Sequence, residues 1–166
     1  IWNDDTYWTS MVQASWQQTK SLPPTVVVIS YGPTWLLVPK GKKQDSGLLE
    51  AFMAKLPDID QKTGIPKERL LLGESMGGLN VLIAGLSYPQ SFAKIASLCP
   101  GVYATSPFAP WSAMKRTLER TGADPKIAFG IWLLARQYVA DEDEWKSMSP
   151  LELVKRADGQ YPALYL

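Results

Sequence analysis

The residues best suited to chemistry are a serine and two glycines, each two positions away from it. They form Gly-Glu-Ser-Met-Gly at residues 73–77, between the apolar run Leu-Leu-Leu at 70–72 and an apolar segment that starts at Leu79. This order predicts a strand, a tight turn and a helix, with Ser75 in the turn. The two glycines are expected where neighbouring backbone leaves no room for a side chain. Ser75 is therefore the candidate nucleophile.

Several neighbours are expected to contact a substrate held at Ser75. The backbone N–H of Met76 would open the helix and face a developing oxyanion, helped by the positive end of the helix dipole. Glu74 precedes the serine and is a candidate substrate-binding residue. Tyr31 and Trp35 follow a predicted strand, at the edge where open α/β sheets bind ligands. These two aromatic residues are substrate-binding candidates, and simple coverage of the sheet edge is an equally good interpretation of them.

The sequence contains no histidine among its 166 residues. A serine nucleophile needs a base that accepts its proton, and in a Ser-His-Asp triad this base is histidine. These residues therefore cannot hold a complete triad. Two interpretations follow: the chain is a fragment of a longer protein, or it is a scaffold without the chemistry.

Composition limits the class of protein and of partner. A hydrophobic content of 46% and a charged content of 20% are typical of a globular protein, and the length predicts a single domain at 1–166. The net charge is +1 with acids and bases interspersed, which argues against a nucleic-acid partner. The longest apolar run, residues 127–135, is too short to span a membrane.

No metal or cofactor site is expected. The sequence has no histidine ligands and no Gly-x-Gly-x-x-Gly after a strand. The acidic run Asp-Glu-Asp-Glu at 141–144 is predicted to be the start of a helix rather than a metal cluster. Cys99, the one cysteine, is predicted to be a small core residue at the end of a strand and not a nucleophile.

Strands and helices are predicted to alternate along the chain. A β-branched run at 25–30 is expected to be a strand buried on both faces, as in a parallel sheet covered by helices. The other strands are expected at 69–72, 94–99 and 161–166, and the helices at 6–20, 48–56, 76–87, 111–120, 125–139 and 150–156. This order predicts an α/β fold with a mostly parallel sheet, helices on both of its faces and a helical, cap-like insertion at 103–148. In the helix at 125–139, residues 127, 131, 134 and 138 are expected to share the buried face.

Six segments carry a resemblance to a known family. They are Pro-Pro at 23–24 before the valine-rich run, Gly-Ile-Pro-Lys-Glu-Arg at 64–69, Gly-Glu-Ser-Met-Gly-Gly at 73–78, Tyr-Pro-Gln-Ser-Phe at 88–92, the predicted strand that leads to Pro100, and Ser-Pro-Leu at 149–151. Together they resemble the putative-esterase branch of the α/β hydrolases, which includes esterase D, feruloyl esterases and enterochelin esterase. The resemblance covers most of residues 21–101, and its specific part is the Ser-Met-Gly-Gly sequence.

The resemblance implies a serine-dependent carboxylic ester hydrolase with a small-molecule ester as substrate. Ser75 would form an acyl-enzyme, the Met76 N–H would stabilise the oxyanion, and no cofactor would be needed. The triad acid and histidine would lie beyond Leu166. The second oxyanion donor would lie before Ile1 or, alternatively, at Tyr31-Gly32, so the fold is expected to be incomplete at both ends.

The resemblance also implies that the insertion at 103–148 covers the substrate pocket. Its aromatic residues suggest an apolar or aromatic acyl or alcohol group; they are Tyr103, Phe108, Trp111 and Trp132. Two alternatives stay open. One is a peptidase or acyltransferase on the same fold, because fold does not fix function. The other is a non-catalytic, hydrolase-like binding module.

Overall fold

The chain is organised in two units. The computed structural model describes residues 5–19, 21–22, 24–32, 34–157 and 159–166, with side chains from residue 10 onwards. By its internal contacts the chain divides into Ile1–Trp35 and Leu36–Leu166. Every strand found in the described ranges lies in the second unit.

Among the described residues of the first unit, one helix is followed by a segment without regular secondary structure. Helix α1 (Asp5–Gln17) confirms the helix predicted at 6–20, and the indole N–H of Trp16, in its last turn, donates to Leu22 O at 3.0 Å. The run at 25–30 forms neither helix nor strand, and its apolar side chains at 26–29 are between 40% and 49% exposed. The prediction of a doubly buried strand is wrong here, because this run forms no ladder with a strand of the described chain.

The second unit is built on a parallel sheet of three strands in the order β1-β2-β3. The strands are β1 (Leu70–Glu74), β2 (Lys94–Leu98) and β3 (Ala163–Tyr165). All three lie where the sequence predicts them, and the parallel arrangement is confirmed. Because Glu74 pairs with Leu98, the carboxyl ends of β1 and β2 meet at the same edge of the sheet.

Helix α3 connects β1 to β2 and packs on both strands. The helices of this unit are α2 (Leu48–Thr63), α3 (Met76–Ser87), α4 (Trp111–Thr121), α5 (Pro125–Tyr138), α6 (Glu142–Met148) and α7 (Pro150–Arg156). A Cβ at Gly85 would lie 2.2 Å from Ile95 Cδ1, so a side chain there would force Ile95 to move. Leu82 and Leu86 of α3 bury their side chains with Ile95 and with Leu153 of α7. This packing holds the second half of α3 against the sheet.

The predicted helical insertion contains α4, α5 and α6. One part of its prediction is wrong, because Ile127 is 61% exposed rather than buried. The residues that α5 buries are Ala128, Trp132, Ala135 and Tyr138. The buried stripe is rotated because Ala128 and Trp132 pack on Met114 of α4.

The acidic run at 141–144 starts a helix, as predicted. Asp141 is the N-cap of α6, and its carboxylate accepts the Glu144 N–H at 3.0 Å. The Lys42 ammonium group forms a hydrogen-bonded ion pair with the Asp141 carboxylate, and the hydrogen bond lowers the pKa of Asp141. The Glu144 carboxylate accepts the Lys42 N–H at 2.7 Å and the Ala140 N–H at 2.8 Å. These bonds hold the loop before α2 against the start of α6.

Candidate active site

Ser75 is the single residue between the end of β1 and the start of α3. Its backbone has φ 53° and ψ −115°, a conformation that residues with a side chain rarely adopt. Within the described chain, Ser75 and Cys99 are the non-glycine residues with positive φ. The predicted strained turn is therefore present, and Ser75 is exposed at the carboxyl end of β1.

Glycine is required at Gly73 by the backbone of the turn itself. A Cβ at Gly73 would lie 2.2 Å from Gly77 O, 2.4 Å from Gly77 C and 2.8 Å from Gly78 N. These are backbone atoms, so no change of side-chain rotamer could relieve the overlap. The sequence prediction is confirmed for Gly73, and for Gly77 it stays a prediction.

The first turn of α3 lies directly against the end of β2. A Cβ at Gly78 would lie 2.8 Å from Ser97 Oγ and 3.2 Å from Leu98 O. The Ser97 hydroxyl donates to Gly78 O at 3.0 Å, and the Ser75 N–H donates to Leu98 O at 2.9 Å. The start of α3 therefore lies close against β2 at Gly78, and β2 holds both ends of the segment from Ser75 to Gly78.

Met76 is the first residue of α3, and its side chain is buried, with 8% exposure. The first N–H groups of a helix have no acceptor within the helix. The Leu79 N–H is already bonded to Ser75 O at 3.1 Å, which closes the first turn. The Met76 N–H is placed at the positive end of α3, next to Ser75, where its assignment as oxyanion donor remains a prediction.

Cys99 lies beside Ser75 at the same edge of the sheet. Glu74 pairs with Leu98, so the residues that follow, Ser75 and Cys99, are neighbours across the two strand ends. Cys99 is exposed and has φ 45°. Its prediction as a core residue is wrong, because the chain leaves the sheet at this left-handed turn instead of continuing as a buried strand.

Three other sequence candidates have known positions but untested roles. Tyr31 and Trp35 belong to the first unit, and Ser75 belongs to the second. Burial raises the pKa of the Tyr31 hydroxyl above its ordinary value, and Trp35 is 38% exposed. Glu74 ends β1 with an exposed side chain. Substrate binding by these residues stays a prediction.

The aromatic residues of the insertion line a cavity of about 220 Å³ between α4 and α5. Trp111, Phe129 and Trp132 contribute rings, and Arg136 lies in the wall with its Nε donating to Pro107 O at 2.8 Å. Of the four aromatics predicted from the sequence, Trp111 and Trp132 line this cavity. Tyr103 instead packs against the Trp132 ring, and Phe108 lies under the Arg136 guanidinium.

Met76 is not one of the residues that line this cavity. Its Sδ atom lies 3.8 Å from the Cβ position of Gly101, and Ile131 Cδ1 of α5 lies 3.1 Å from the same point.

A family model described as "Putative esterase" matches residues 1–165. The chain belongs to the putative esterase family. This confirms the resemblance inferred from the sequence and indicates a hydrolase of esters. The searches of curated proteins and of solved structures give no match.

Two residues that bind the turn of this esterase-family chain were not predicted from the sequence. Ser97 and Leu98 lie 22 and 23 residues after Ser75, and neither belongs to a motif. The available signal was positional, since the next parallel strand of an α/β unit ends beside the first one. That signal locates the strand end, but it does not show which atoms bind the turn.

In the described part of the chain, no three residues among His, Cys, Asp and Glu are grouped closely enough to hold a metal ion. None of the described helices combines the length and apolar character that a membrane crossing needs.

Proposed function

We propose that the chain is the nucleophile-bearing part of a serine-dependent carboxylic ester hydrolase that acts on a small-molecule ester. The observation that carries the proposal is the left-handed backbone of Ser75 between β1 and α3, made possible by Gly73. A strained turn of this kind presents a serine hydroxyl away from the sheet. Membership of an esterase family supports the reaction class.

In the proposed reaction, Ser75 Oγ attacks the ester carbonyl carbon and its proton passes to a base. The negative charge that develops on the carbonyl oxygen is stabilised by the Met76 N–H and by the helix dipole. Loss of a single donor of this type lowers kcat by about 10² to 10³. The alcohol then leaves with a proton, and water hydrolyses the acyl-enzyme on Ser75 to the carboxylic acid.

The base is the part of the mechanism that these residues do not supply. The 166 residues contain no histidine, so a histidine base has to come from outside them. We infer that the triad acid comes from outside as well, and that the second oxyanion donor lies either there or at Gly32. We also propose that residues 1–166 form one α/β-hydrolase domain, with helices on both sheet faces and with 103–148 as its cap.

Covalent labelling tests the assignment of Ser75 directly. A fluorophosphonate probe should label the full-length protein at Ser75, and hydrolysis of a short-chain nitrophenyl ester should be lost in Ser75→Ala. Ser87→Ala is the matched control, because Ser87 ends the same helix about 18 Å from Ser75 by the helical rise per residue. Unchanged hydrolysis in Ser75→Ala, or labelling that survives in it, would refute the proposal.

A non-catalytic, hydrolase-like binding module is the second candidate. The observation in its favour is the absence of histidine from all 166 residues. It predicts that Ser75 of the full-length protein resists the fluorophosphonate even though the turn is correctly folded. Labelling of Ser75 therefore decides between the two candidates.

A further inference from the structure

We propose that Ser97 is a positioning residue for the nucleophile turn. This inference rests on the proposed function of Ser75. The side chain of Ser97 does not reach a substrate. It would act through the backbone of α3, by fixing the direction in which the Met76 N–H points.

The Ser97 hydroxyl fills the space between β2 and the first turn of α3. Ser97 is 1% exposed, and its Oγ–H donates to Gly78 O at 3.0 Å. A Cβ on Gly78 would lie 2.8 Å from the same Oγ, so the strand and the helix are in contact at this point. Any change in this contact moves the start of α3 relative to the sheet.

The adjacent residue of β2 holds the other end of the same segment. Leu98 O accepts the Ser75 N–H at 2.9 Å. Two consecutive residues of one strand therefore bind Ser75 and Gly78, and Met76 lies between these two residues in the sequence. Ser97 also pairs in register with Gly73, the glycine that admits the turn. Residues 97–98 form a rigid brace behind the turn.

Loss of the Ser97 hydroxyl should alter direction more than folding. In an α-helix, Gly78 O also accepts a backbone N–H four residues later, so removing Oγ does not leave this carbonyl without a partner. Ser97→Ala does remove the hydrogen bond from Ser97 Oγ to Gly78 O. Among the described contacts of Gly78, this is the only side-chain hydrogen bond between the first turn of α3 and β2. A small displacement of catalytic groups is enough to slow a reaction strongly.

The test compares Ser97→Ala with Thr63→Ala. The Thr63 hydroxyl also donates to a backbone carbonyl, Ile59 O at 2.9 Å, but it does so at the end of α2, outside both the turn and the proposed cap. In Ser97→Ala, kcat for a short-chain ester should fall about tenfold while KM stays within about twofold, a smaller loss than deletion of a donor causes. Thr63→Ala should leave kcat unchanged. Ser97→Thr keeps the hydroxyl and should recover most of the lost kcat.

Amide hydrogen exchange provides a measurement that does not depend on activity. Exchange at Ser75 and the first turn of α3 should be faster in Ser97→Ala than in the unmodified protein, with α6 unaffected. If Ser97→Ala does not fold, Ser97→Cys replaces it, because a thiol is a weaker donor of similar size.

The outcomes separate this inference from the proposed function. If the unmodified full-length protein is not labelled at Ser75, the proposed function fails, and the exchange comparison still decides whether Ser97 holds the turn. Unchanged exchange overturns the proposal, and so does equal loss of kcat in Ser97→Ala and Thr63→Ala. A tenfold loss of kcat confined to Ser97→Ala, with faster exchange at the turn, supports it.

Discussion

The left-handed backbone of Ser75, the proposed nucleophile, should lower the stability of the folded protein. A residue with a side chain in such a region costs about 1–3 kcal/mol, whereas glycine adopts φ 53°, ψ −115° readily because it is the mirror image of an extended conformation. Glycine gives back about 0.4–1 kcal/mol through the greater freedom of its unfolded chain. Ser75→Gly should therefore be about 1 kcal/mol more stable than Ser75→Ala, which keeps the Cβ.

Thermal unfolding of the two variants measures this difference. For a chain of this size, about 1 kcal/mol corresponds to a shift in Tm of about 2–4 °C, so Ser75→Gly should melt that much above Ser75→Ala. Both variants lack the hydroxyl, so neither should hydrolyse esters.

A second alanine–glycine pair provides the control. Ala54 is exposed within α2, where Ala54→Gly should lower stability by about 1 kcal/mol. The sign of the glycine effect is thus expected to differ between the two positions. Equal Tm values for Ser75→Gly and Ser75→Ala would show that the turn stores no strain, and the physical basis for choosing Ser75 would fail.

Three further predictions concern stability. Gly73→Ala places a Cβ 2.2 Å from Gly77 O, so it should lower the unfolding free energy by about 3 kcal/mol or more and abolish esterase activity. Gly130→Ala is the control: its Cβ meets nothing within 4 Å, and the unfolding free energy should rise by about 1 kcal/mol in thermal unfolding. Asp124 caps α5 by accepting the Lys126 N–H at 2.7 Å, so Asp124→Ala should lower the unfolding free energy by about 1 kcal/mol, measured by urea titration; an unchanged midpoint would contradict this capping role. The Lys42 hydrogen bond lowers the pKa of Asp141, so its contribution is present above the ordinary carboxyl pKa and is lost as pH falls through the lowered one. Asp141→Asn should therefore flatten the fall of Tm between neutral and acidic pH, and a parallel acid limb in both proteins would count against the assignment.

The nucleophile turn could be predicted from sequence because its causes are local. The clash at Gly73 involves backbone atoms of residues 77 and 78, so the requirement for glycine is encoded within six positions. The apolar runs on either side specify a strand before the turn and a helix after it. A sequence pattern of this length captures the whole geometry, including the unusual backbone of Ser75.

The errors arose where the structure depends on distant residues. The β-branched run at 25–30 favours a strand, but a strand also needs a partner that the run itself does not specify. Cys99 was expected in the core because it follows an apolar strand. Its exposure results from the turn that ends β2. Pro100-Gly101 marks a turn after Cys99 in the sequence, but it does not show that Cys99 itself has a positive φ.

The two halves of the proposed chemistry differ in how they depend on the rest of the protein. The proposed nucleophile and the proposed oxyanion donor both depend on the backbone conformation of the turn. Gly73, Ser97 and Leu98, all in the second unit, stabilise that conformation. The base is a side-chain function, and no histidine in these 166 residues can provide it. Because the turn is already formed and braced by β2, a histidine brought from outside would only have to reach Ser75 Oγ. It would not have to reshape the backbone around it.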